Sequence, residues 1–165
     1  MQLTTPYRTD SKLELLNLGG SKIDGPGLVH LKGMTELKYL LLRKSQLNDA
    51  GLAQLKSLPK LSSLELNDTK ITDAGMVHVK DMTQLESLDL RGTSVGDAGM
   101  AHVSVLPKLT ELNVAKTKVS SDGLKHLVNL KSLKTLYVPK PAVSADAVNQ
   151  LKQALPEVRV TLIDP

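Results

Sequence analysis

Apolar positions return every 24 residues along this chain. Leu13, Leu37, Leu61, Leu85, Leu109 and Leu133 open six successive registers of 24 that cover residues 13–156. With that leucine as position one, position four reads Leu16, Leu40, Leu64, Leu88, Leu112 and Leu136. Position six reads Leu18, Leu42, Leu66, Leu90, Val114 and Val138. Positions four and six alternate with mostly polar residues, which is strand periodicity. Further on, positions 16, 19 and 22 are again apolar (Leu52, Leu55 and Leu58 in the second register). A spacing of three predicts a helical segment on the other side of each unit. Val160 and Leu162 occupy positions four and six of a partial seventh register, which predicts a last strand without a helix.

Between strand and helix stand Asp49, Asp73, Asp97 and Ser121 at position 13. These types favour N-caps, where a side-chain oxygen accepts an orphan backbone N–H. In the first register Pro26 occupies the favoured first helical position. Glycine recurs at position 15 (Gly27, Gly51, Gly75, Gly99, Gly123) although it weakens helices. Its recurrence predicts close packing between units. Lys32-Gly33, Pro59 and Pro107 end the helices and turn the chain back.

One such unit cannot bury its own apolar face, whereas stacked units share a continuous core. Parallel strands sit ~4.8 Å apart, and helices need ~8–10 Å between axes. Narrow elements on one side and wide ones on the other bend the stack, with strands on the concave face. The expected organisation is a short cap over 1–12, where Tyr7 falls at position 19, six repeats over 13–156, and a closing strand over 157–165.

The unit LxxLxLxxTxITDAGLxxLxxLxx, clearest from Leu61 to Met76, resembles a leucine-rich repeat. Its Thr-Asp-Ala-Gly wording resembles bacterial repeats related to the cysteine-containing subclass. The resemblance implies an α/β leucine-rich repeat solenoid, a curved right-handed coil with a parallel β-sheet inside and short helices outside. The chain departs from that family at position nine. Ser21, Ser45, Thr69, Thr93, Thr117 and Pro141 stand where Asn or Cys is usual. A hydroxyl can donate one hydrogen bond to a neighbouring coil's carbonyl, where the usual amide donates two. Pro141 can donate none, so the sixth unit is expected to be irregular.

Composition narrows the chemistry. Of 165 residues 41% are hydrophobic, which excludes a disordered chain, and only 2% are aromatic, so aliphatic side chains fill the core. Cysteine is absent, which excludes disulfides, thiolate metal sites and a cysteine nucleophile. A net charge of +4 is mildly basic and does not by itself indicate nucleic acid. No apolar run approaches the ~18–20 residues of a membrane span. The N-terminal residues lack the basic and apolar regions of a signal peptide. A cytoplasmic protein is expected, or a secreted or surface-attached one if a leader has been removed.

Catalytic constellations are missing from the pattern. His30, His78, His102 and His126 all fall at position 18, an outward helix position. Helices ~8–10 Å apart cannot bring them to the ~2.0–2.1 Å of a shared metal. No histidine stands near the serines and threonines of the other face, and the Gly-Gly and Gly-Pro-Gly segments lack phosphate-loop spacing. No enzyme activity, cofactor or metal is expected. Lys32, Lys56, Lys80 and Lys152 line the helix side among acidic residues, and stacking aromatics are few, so a solvated face is expected rather than a nucleic-acid partner.

Recognition is expected on the concave face, where positions three, five and seven point away from the core. Leu15, Tyr39 and Leu41 form an apolar corner there. Glu65, Asp89 and Glu111 form an acidic stripe flanked by Arg43 and Arg91. Asn67, Asn113 and Tyr137 complete the candidate surface. Tyrosine and arginine are frequent binding hot spots. The expected function is a noncatalytic scaffold for a protein or peptide partner, one with a basic segment for the stripe and an apolar anchor for the corner. A plainer reading is that the arginines only neutralise neighbouring carboxylates. The same surface would also suit a recognition module of a larger complex, such as a ubiquitin-ligase-like substrate receptor, or a glycan or cell-surface binder. Thinly capped solenoid ends leave weak homo-oligomerisation as a further expectation.

Overall fold

A computed structural model describes residues 12–164 of the chain. Of the cap expected over 1–12 only Lys12 falls within them; Tyr7 lies outside. The strands are β1 (Leu15–Asn17), β2 (Tyr39–Leu41), β3 (Ser63–Glu65), β4 (Ser87–Asp89), β5 (Glu111–Asn113), β6 (Thr135–Pro139) and β7 (Arg159–Ile163). They form one parallel sheet in chain order. Each strand pairs with the residue 24 places on, as Leu16 with Leu40 and Leu64 with Leu88. The repeat period is therefore also the register of the sheet.

The opposite layer holds a short 3-10 turn at Pro26–Leu31, then helices α1 (Asp49–Leu52), α2 (Asp73–Met76), α3 (Asp97–Val103), α4 (Ser121–His126) and α5 (Ala145–Ala154). The sequence predicts these segments because their apolar residues recur at a spacing of three, and Leu52, Met76, Met100 and Leu124 are fully buried or nearly so. The sheet rows Leu40, Leu64, Leu88, Leu112 and Leu136 meet them from the other side in one continuous core. This is the α/β solenoid the pattern implies.

Helix capping differs from the expectation by one residue. The N-caps are Asn48, Thr72, Gly96, Ser120 and Ser144 at position 12, and all but Gly96 accept a hydrogen bond from the helix with their side chains. Asp49, Asp73 and Asp97 are the first helical residues, and their carboxylates reach into the following coil. Asp49 accepts from the backbone N–H and hydroxyl of Thr72 at 2.8 and 2.7 Å. Asp73 accepts from the N–H groups of Gly96 and Gly99 at 2.7 and 2.9 Å. Asp97 accepts from the N–H and hydroxyl of Ser120, both at 2.7 Å. Ser121 does the same for the N–H of Ser144 at 3.0 Å.

These brackets explain three of the glycines at position 15, Gly75, Gly99 and Gly123; Gly51 instead packs against the Gly25 backbone and the Leu47 side chain. A Cβ on Gly99 would stand 2.7 Å from the Asp73 carboxylate, and one on Gly123 2.5 Å from that of Asp97. Where the bracket is the smaller Ser121, the matching residue of the next coil is Ala147. From the second coil onward, the side chain at position 13 thus sets the space at position 15 of the next.

Position nine also departs from the expectation. The hydroxyls of Thr69, Thr93 and Thr117 donate to Leu66, Leu90 and Val114 of their own coil, at 2.5, 2.6 and 2.5 Å. They close the turn after the strand rather than joining coils. A hydroxyl on a two-bond arm reaches the carbonyl three residues back before it reaches a neighbour. In the sixth unit, which has proline there, β6 runs on to Pro139 and α5 is the longest helix, ten residues.

The turn itself repeats one backbone state. Gly20, Lys44, Asp68, Gly92 and Lys116, all at position eight, have φ between 56° and 71°. Three of the five carry side chains in a region that costs an L-residue about 1–2 kcal/mol. Exchanging Gly92 for alanine is expected to lower unfolding free energy by about 1 kcal/mol, read by urea denaturation; an unchanged midpoint would contradict this turn geometry.

Candidate functional site

Two rows of side chains lie on the sheet face away from the helices. The position-three row runs Leu15, Tyr39, Ser63, Ser87, Glu111, Thr135, Arg159. The position-five row runs Asn17, Leu41, Glu65, Asp89, Asn113, Tyr137, Thr161. Neighbours in a row are one strand spacing apart, ~4.8 Å.

The apolar corner is assembled as the sequence suggests. Leu15 and Tyr39 are register partners and stay 54% and 44% exposed, large values for such side chains. Leu41 stands two residues beyond Tyr39 on the same face, half-buried. Glu65 and Asp89 are register partners too, so two carboxylates face each other across adjacent strands. Glu111 is not in line with them. It lies in the other row, opposite Ser87, and stands diagonal to Asp89. The acidic feature is a pair with a diagonal third member rather than a straight stripe. Tyr137 follows Asn113 in the same row as Asp89.

Asn67 departs from the expectation. It is 3% exposed, and its side-chain amide donates to the Asp68 carboxylate at 3.2 Å. It shapes the turn and offers a partner no surface. Position seven tucks inward again at Ala115 and Pro139, whereas Arg43 and Arg91 are exposed.

Electrostatics sharpen the centre. Burial pushes the Asp89 carboxyl above the ordinary carboxylate range; the Arg91 backbone N–H and its guanidinium oppose that shift, and Asp68 adds to it. The backbone bond, from Arg91 N to Asp89 Oδ1, is 2.9 Å. Among the described residues neither Arg43 nor Arg91 forms a side-chain ion pair within 4.0 Å. The reading that these arginines merely neutralise carboxylates therefore lacks direct pairs.

The remaining chemistry is sparse. Among the described residues, no three histidine, aspartate or glutamate side chains converge as a metal would need. Every buried polar side-chain atom there has a hydrogen-bond partner. No helix of the described chain is long and apolar enough to cross a membrane.

Comparison with known proteins agrees with the architecture. The leucine-rich repeat family model matches residues 57–78, 82–102 and 105–128. Among solved structures, a leucine-rich repeat protein of Leptospira interrogans superimposes with a TM-score of 0.69 at 21% identity, over 92% of this chain and 38% of that one. Internalin C2 of Listeria monocytogenes superimposes with a TM-score of 0.65 at 20% identity, over 90% of this chain and 70% of that one. The chain thus spans well under half of the Leptospira protein's length. At these identities the likeness is one of fold. No curated protein matches the chain.

Proposed function

The chain is a leucine-rich repeat protein, and from that premise we propose that it binds a polypeptide partner on its concave sheet face without catalysing a reaction. Proteins of this fold generally mediate protein–protein contacts. The observation that carries the finer reading is the unshared surface around Tyr39. Leu15 and Tyr39 expose apolar area side by side, next to carboxylates and arginines that make no ion pairs with one another. Exposed apolar groups rimmed by polar ones are the usual mark of a docking surface.

The partner that fits carries an apolar anchor for Leu15, Tyr39 and Leu41 and a basic segment for Glu65, Asp89 and Glu111. Desolvating Tyr39 against an anchor would supply most of the affinity, and the carboxylates would set orientation and on-rate. Capture of partners with the intact chain, compared with a Tyr39→Ala/Asp89→Ala variant, tests this. The expected loss for a captured partner is tenfold or more, about 1.4 kcal/mol. A partner held equally well by both proteins would place recognition elsewhere.

A further inference from the structure

The turns that follow the strands carry a row of cations, of which only Arg43 and Arg91 also border the concave face. In the second coil these are Arg43 and Lys44, in the third Lys70, in the fourth Arg91, and in the fifth Lys116 and Lys118. All six are exposed. Asp68 is the single carboxylate among positions seven to ten of these four coils.

Backbone ladders fix this row. The N–H of Lys44 donates to Asn67, that of Asp68 to Arg91 and that of Gly92 to Ala115, one coil on, at 2.9, 2.8 and 3.1 Å. Lys70 and Lys118 are tied through their N–H groups to Leu47 and Val95 of the preceding coil, at 2.9 and 2.8 Å. The backbone positions that carry these charges are therefore held one coil apart.

The opposite edge of the solenoid treats its lysines differently. Lys38 pairs with Glu14 at 2.9 Å, Lys60 with Glu36 at 2.7 Å, and Lys108 bonds Gln84 at 2.6 Å, each across one repeat period. Among the described residues none of the six cations on the strand-end edge has a carboxylate within 4.0 Å. The fold thus pairs charges across coils on one edge, whereas on the other it leaves like charges side by side from the second to the fifth coil and pairs across coils only beyond them, Lys140 with Asp164 at 3.1 Å. Stacked like charges lower stability.

We propose that this edge, from Arg43 to Lys118, docks an extended acidic polypeptide segment. Three coil steps of ~4.8 Å make a row of roughly 14 Å, which four or five extended residues would match. Asp68 interrupts the row next to Lys70. A polypeptide can set a neutral or basic residue there, whereas a nucleic-acid backbone brings a uniform line of phosphates against it. Of the described tyrosines, neither Tyr39 nor Tyr137 lies on the edge to stack a base.

The test uses the full chain and a fluorescent polyglutamate peptide at low salt. Binding should weaken steeply as salt rises, because the contacts are exposed. The triple change Lys44→Glu, Lys70→Glu, Lys118→Glu should weaken it at least tenfold. The control Lys32→Glu, Lys56→Glu, Lys80→Glu alters net charge equally on the helix side and should lose under threefold. Circular dichroism melting confirms that both variants fold. A Tyr39→Ala variant, which leaves the bond from Arg91 N–H to Asp89 intact, should bind the peptide as the parent does, which separates this edge from the concave face. Equal losses in the two triple variants, absence of peptide binding, or tighter and equally sensitive binding of duplex DNA would each overturn the proposal.

Discussion

Replacing Leu88 by alanine is expected to remove about 2–5 kcal/mol of stability, the range for a buried leucine that leaves a cavity. Leu88 is 1% exposed at the middle of the fourth strand, with Leu64 and Leu112 as register partners on either side. Those neighbours cannot close the gap, because the hydrogen-bonded ladder fixes the strand spacing. For a chain of this size the loss corresponds to a fall of roughly 10 °C in thermal midpoint. In a solenoid each coil is stabilised mainly by its neighbours, so a weak central coil separates the array into two parts. Broadening of the transition should accompany the fall. A midpoint unchanged within error would mean that position four does not face the core.

Removing the Asp73 carboxylate should have the next largest effect. It is the sole side-chain acceptor at the start of α3, since its N-cap, Gly96, has none to offer. Two charge-assisted bonds are lost in Asp73→Ala, and water can reach the part-buried site, so about 2–3 kcal/mol is expected. Asp73→Asn keeps a neutral acceptor and should lose less. The bracket also predicts a coupling. Gly99→Ala should be clearly destabilising alone, because its Cβ meets the carboxylate and Val95. Beside Asp73→Ser it should cost less, as the natural Ser121 and Ala147 pair indicates. A double-mutant cycle measures this; strict additivity would show that the two sites do not touch.

Asp89 and Arg91 show how partial the sequence is as a guide to the surface. Strand alternation places Tyr39, Glu65 and Asp89 on one face without further information, and they are found there. It also places Asn67 there, yet the tight turn after β3 draws that side chain under Asp68. Alternation holds only while the backbone stays extended, and by position seven the chain has begun to bend. Glu111 is legible as a surface residue, but its row depends on counting two residues, a detail that a loose grouping of acids overlooks. Sorting the lysines by helix position misses the unpaired cation edge. The shared location of those charges follows from turns at positions seven to ten in successive coils.

The amino-acid order alone was sufficient for the period, the strand register, the rows of the core and the side on which each helix lies. Apolar spacing encodes all of these, since burying a leucine needs only the right face and tolerates small shifts. Polar contacts were decided by the stacked coils. Whether Asp73 caps its own helix or the next, and whether Thr69 bonds its own turn or a neighbour, rests on differences of an ångström or two between competing acceptors. Hydrogen bonds are short and directional, so those choices exist only once one coil has been laid on another.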